Sequence, residues 1–131
     1  EMPDDFYYPF FSLISTDVIK DKTRTIEAFR KLEMIHREDN AEQIEFYYHA
    51  YREMIELFAR PYTSKIFNFD NPEFFAQLYS YGEKISKMAE FKQARGVKHF
   101  IYVNRTNFGL YAILQELKAI VNTTTYKPHL K

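Results

Sequence analysis

Apolar residues recur at spacings of three and four along nearly the whole chain, while strict alternation is scarce, so the pattern predicts helices rather than strands. The first predicted helix runs from about Asp4 to Ile19, with Phe6, Phe10, Leu13 and Ile14 on one face and Pro9 accommodated near its first turn. A second follows Asp21 and turns Ile26, Phe29, Leu32 and Ile35 inward; the polar run from His36 to Asn40 is a turn. Asn40 is placed to cap a third helix, with Gln43 in the reciprocal capping position and Ile44, Tyr48, Tyr51, Ile55 and Phe58 as the inner stripe. In the adjacent pairs Tyr7–Tyr8 and Tyr47–Tyr48 one ring of each is expected at the rim. Pro61 ends the third helix, and the following connection must be ordered, because Ile66, Phe67 and Phe69 are too apolar to sit unpacked in water. Asn71 before Pro72 signals a new helix start, after which Phe74, Leu78, Tyr81, Ile85 and Met88 keep the cleanest helical spacing in the chain.

Arg95 and Gly96 mark the stop before a fifth helix, read from Phe100 to Val121. It carries two apolar stripes on nearly opposite sides: Val103, Leu110, Leu114, Leu117 and Val121 on one, Ile101, Phe108, Ala112 and Ala119 on the other. A helix patterned in this way expects cover on both sides. Arg105 falls on the second stripe, where a guanidinium must be paired with a carboxylate or carbonyl or reach water. Gly109 and Ala112 beside it leave little bulk, so another backbone has room to approach. The expectation is therefore an all-α, compact antiparallel bundle of about five helices, forming a single domain over residues 1–121. Residues 122–131, with three adjacent threonines and no apolar period, are expected to leave it as an extended or disordered tail.

The chain has 131 residues, enough for one domain with a core of its own. Acidic and basic residues are equal in number, 18 each, so no field favours nucleic acid or an anionic membrane. The absence of cysteine excludes disulfides, thiolate metal sites and thiol catalysis, and fits a cytoplasmic setting. No run approaches the roughly 20 apolar residues that span a bilayer. The acidic start EMPDDFYYPF is not a signal or transit peptide and reads as a cut inside a longer protein. With 13 Phe and 11 Tyr but no Trp, rings must fill the core.

Candidate chemistry is sparse. Glu33 and His36 have the Glu-x-x-His spacing of di-iron bundles, but one pair without further glutamates reads as a solvated helix end. Glu42, Glu45, His49, Glu53 and Glu56 line one side of the third helix opposite its apolar stripe, which makes them a solvent face rather than acid–base machinery. There is no phosphate loop or dinucleotide fingerprint.

Three segments, MPDDFYYPFFSLISTDVIKDKTRTIEAFRKLEMI, ARPYTSKIFNFDNPEFFAQL and above all VNRTNFGLYAILQELKAIVN, resemble the C-terminal helical region of UbiB/AarF-type atypical kinase-like proteins. The most specific part is Asn104, Arg105, Thr106, Phe108, Gly109, Leu110 and Tyr111, followed by Leu117 and Ala119. The resemblance implies a larger parent whose kinase-like lobe binds ATP and magnesium and supports isoprenoid quinone or lipid metabolism, with peripheral membrane association. None of that lobe's motifs occurs here, so the chain is expected to be a non-catalytic accessory domain without cofactor or metal. Ile101, Arg105, Phe108, Gly109 and Ala112 would form its contact with the lobe, or pair in a homodimer when the domain is isolated. The rival readings are an independent module that binds a partner helix and a bundle that encloses a lipid or quinone.

Overall fold

The computed structural model describes residues 2–14, 16–91, 93 and 95–125. Among the described residues there are six α-helices and one two-stranded sheet, and helix accounts for 69%. The helices are α1 (Asp4–Ile14), α2 (Thr16–Ile19), α3 (Lys22–Lys31), α4 (Ala41–Ala59), α5 (Pro72–Ser86) and α6 (Lys98–Glu116); the strands are β1 (Ile66–Asn68) and β2 (Ile120–Asn122). The mainly helical class is as expected. Six helices replace five because the first predicted helix is divided between α1 and α2. Pro9 lies well beyond the first turn of α1, where its missing N–H leaves the carbonyl of Asp5 without a helical donor.

The chain divides into two compact units. The first comprises Glu1–Glu56 and Ala94–Val103, the second Leu57–Gln93 and Asn104–Lys131.

In the first unit, local capping decides where helices begin. Asp21 accepts a hydrogen bond from the Arg24 N–H at 3.1 Å and starts α3. Thr25, fully buried on α3, satisfies its hydroxyl by donating to the Val18 carbonyl at 2.8 Å. Asn40 and Gln43 close the expected capping box, each side-chain oxygen accepting the other's backbone N–H at 2.9 Å. Phe29, Leu32 and Ile35 are buried as expected, and Ile26 is half-buried. On α4 both Tyr47 and Tyr48 are buried, where one was expected at the rim; Tyr47 stacks on Tyr51, and Tyr48 accepts a hydrogen bond from Arg52. Tyr8, by contrast, is exposed beside a half-buried Tyr7.

The end of α3 is built without glycine. Glu33 adopts a left-handed conformation, φ 57°, while the Glu33 and Met34 N–H groups bond back to the carbonyls of Arg30 and Phe29. This is the Schellman pattern, with buried Met34 and Phe29 in its apolar positions.

The second unit holds a cluster of Phe69, Phe74, Phe75, Leu78 and Tyr111, against which Leu57, Phe58, Tyr62, Phe67, Leu114 and Val121 pack. Asn71 accepts from the Phe74 N–H at 3.0 Å with Pro72 in the first turn of α5, as the sequence predicts. The sheet was not expected. β1 and β2 pair antiparallel, Phe67 opposite Val121, and these two residues cover the aromatic cluster. Strand pairing also moves the boundary of the predicted tail: Asn122 belongs to β2, and Thr123 is buried with its hydroxyl donated to Ser64 at 2.7 Å. Residues 126–131 of the predicted tail lie outside the described residues.

Candidate functional site

α6 differs from its predicted form in length and in facing. It ends at Glu116 rather than Val121, because Lys118 turns left-handed at φ 50° and the Lys118 and Ala119 N–H groups bond to Gln115 and Leu114. Leu117, Ala119 and Val121 therefore lie beyond the helix, and Leu117 is 70% exposed. Its buried residues are Phe100 and Tyr111, with Val103, Asn104, Asn107 and Leu114 half-buried. The inner side thus carries two asparagines, which hid it from an apolar-periodicity reading and displaced the predicted stripes to either side. Tyr111 anchors it: the hydroxyl donates to the Phe58 carbonyl at 2.8 Å, and burial pushes the phenol far above its usual range.

Of the predicted contact residues, Arg105, Phe108, Gly109 and Ala112 belong to the second unit, and Ile101 falls in the first. Nothing is described of the Ile101 side chain. Phe108 is 37% exposed and leans on Phe58 and Tyr79, each with ring centroids 6.0 Å away. Ala112 is half-buried. A Cβ added at Gly109 would meet nothing within 4 Å. Arg105 is exposed, and no hydrogen bond or ion pair is seen for it among the described residues; of the two outcomes open to it, pairing or reaching water, it takes the second. The segment that reads Arg105-Thr106-Asn107-Phe108-Gly109-Leu110 is exposed at every position but Asn107.

A half-buried arginine that the sequence marked only as a helix stop is Arg95. Its guanidinium grips Asp39 with two hydrogen bonds, 2.7 and 2.9 Å, and lies 3.9 Å from the Tyr47 ring centroid. Asp39 also accepts the His36 N–H at 2.7 Å, and the Arg95 guanidinium holds its carboxyl below the usual carboxylate range. Gly96, at φ 95°, and Val97 donate to the carbonyls of Glu33 and Leu32, which brings Arg95 to this turn. No spacing in the sequence announces a pair separated by 56 positions.

The remaining candidates resolve into local structure. The His36 ring nitrogen lies 3.0 Å from the backbone carbonyl of Glu33, so the Glu-x-x-His pair meets through the main chain, not through its carboxylate. Among the described residues no group of three His, Asp or Glu could hold a metal ion. Glu42, Glu45, His49, Glu53 and Glu56 are all exposed on α4, as predicted, and Lys22 with His49 holds the Glu45 carboxyl below its usual range. An open depression in the first unit is lined by charged residues, Glu27, Arg30, Lys31, Glu33, Arg37 and Glu38, together with His36 and Ile35. No described helix is long and apolar enough to cross a membrane.

A scan against protein-family models finds no match for this chain, and searches of curated proteins and of solved structures find none either.

Proposed function

We propose that this chain is a non-catalytic helical docking domain and that its counterpart is the kinase-like lobe of a UbiB/AarF-type protein. The observation that carries the docking role is the outward presentation of Arg105, Phe108 and Gly109 on α6. Glycine inside a helix costs roughly 1 kcal/mol relative to alanine, and among the described residues nothing lies within 4 Å of a Cβ added at Gly109. A partner backbone is the use for that space, with Arg105 available to a carboxylate or carbonyl on the partner. The identity of the partner rests on the resemblance of Asn104–Tyr111 to the family. ATP and magnesium would belong to that lobe and not to this domain.

Isothermal titration of the 131-residue chain with a purified UbiB/AarF-type kinase-like lobe tests both parts. Binding is expected at micromolar concentration, and Gly109→Gln should weaken it at least about tenfold without lowering the melting temperature. A lobe that does not bind overturns the family partner. Unweakened binding by the Gln variant overturns the contact face.

A further inference from the structure

A different surface of the second unit carries its own argument. Leu110 and Ile113 lie three residues apart on α6, Leu117 follows in the turn just past its end, and Ile120 comes after the reversal at Lys118. Ile66 and Ile120 sit opposite Asn122 and Asn68, so both project from the outer face of the sheet while Phe67 and Val121 cover the core. All five aliphatic side chains are between 45% and 70% exposed. None of the five is Phe108, Gly109 or Ala112, and Arg105, about 80° around α6 from Ile113, flanks both surfaces.

We infer that a second copy of this chain covers this surface, in a two-fold contact with the α6 helices antiparallel. Area is the first argument. The five residues leave on the order of 500 Å² of apolar surface in water, at the upper end of what a monomer exposes in one patch. A standard interface takes about 800 Å² from each partner, and homodimer interfaces are about 65% apolar. The apolar share available here, roughly three-fifths of that area, is therefore close to what self-association needs.

Charge is the second argument, and it fixes direction. Arg105 and Glu116 are exposed toward opposite ends of the outward stretch of α6. A two-fold, antiparallel crossing centred between Leu110 and Ile113 sets Leu110 against Ile113 of the second copy. It also brings Arg105 to within about 3 Å, two residues of helical rise, of the level of Glu116 in the other copy. A parallel crossing would instead set like charges side by side.

Sedimentation velocity on the whole chain between about 5 and 500 μM tests the inference independently of the docking reading. The mass should rise from that of the 15.8 kDa chain toward twice that value across the range. Ile113→Asp, at a solvent-exposed position, should keep the melting temperature and weaken association at least about tenfold. Arg105→Glu should weaken it, and Arg105→Glu with Glu116→Arg should restore it. A chain monomeric throughout the range overturns the inference, as does an Ile113→Asp variant that associates normally. Failure of the charge exchange to restore association overturns the antiparallel contact. Phe108→Asp serves as the control for the other face: it should leave self-association intact while impairing binding to a kinase-like lobe.

Discussion

Arg95 and Arg105 are ten residues apart and live in opposite circumstances. Arg95 follows no apolar pattern and looks like a loop residue, yet it is largely enclosed, doubly hydrogen-bonded to Asp39 and stacked over Tyr47. Arg105 sits among apolar helical positions and looks like a buried charge, yet it stands in water. The difference teaches that a charge is drawn inside by the geometry of the backbone around it, here the Gly96 and Val97 bonds to α3's end, and not by the hydropathy of its sequence neighbours. It also separates two kinds of surface. The first unit spends an ion pair on closing itself; the second leaves side chains for something else.

The sharpest way to break this contrast is substitution. Arg95→Ala leaves the half-buried Asp39 carboxylate without its guanidinium and should cost about 1–3 kcal/mol in urea denaturation, whereas Arg105→Ala should change stability by no more than about 0.5 kcal/mol. Comparable losses from the two would erase the distinction.

Acid provides a second approach. Because Arg95 lowers the Asp39 pKa in the folded protein below its ordinary value near 3.8, the pair's contribution is complete above that value. It is lost as pH falls through the lower, folded-state value. Melting temperatures followed from pH 5 to pH 2 should fall less steeply for Asp39→Asn than for the parent chain; parallel curves would show that the pair does not couple to folding.

Smaller effects are expected at the anchor of α6. Tyr111→Phe removes the hydroxyl that satisfies the Phe58 carbonyl and should cost about 1 kcal/mol by the same denaturation measurement. Smallest, and opposite in sign, are the backbone changes. Glu33→Gly and Lys118→Gly relieve left-handed residues and should each stabilise by up to about 1 kcal/mol. Gly109→Ala should raise stability by roughly 0.5–1 kcal/mol, since the new methyl meets nothing within 4 Å among the described residues.

Features written in adjacent residues were readable from sequence. Asn40 with Gln43, Asn71 with Pro72, and the spacing of Phe74, Leu78 and Tyr81 each needed only a few positions to be recognised. What escaped depends on distant or disguised partners. β1 and β2 are three residues each, too short for alternation to stand out, and Phe67 meets Val121 from 54 positions away. Glu33 and Lys118 occupy places where a glycine would have announced the end of a helix. Asn104 and Asn107 broke the inner stripe of α6 and sent the reading to its flanks. Of the candidate face, Phe108 and Gly109 are exposed, and Arg105 reaches water rather than a partner group, a choice its sequence neighbours leave open.

The small sheet has a consequence for how the chain is made. Its second strand is delivered some fifty residues after the first, so on a ribosome the aromatic cluster of the second unit stays open on one side until Ile120–Asn122 has emerged. A nascent chain paused before that point presents Phe69 and Phe74 without their full cover, an aggregation-prone state that ends when the second strand pairs with the first.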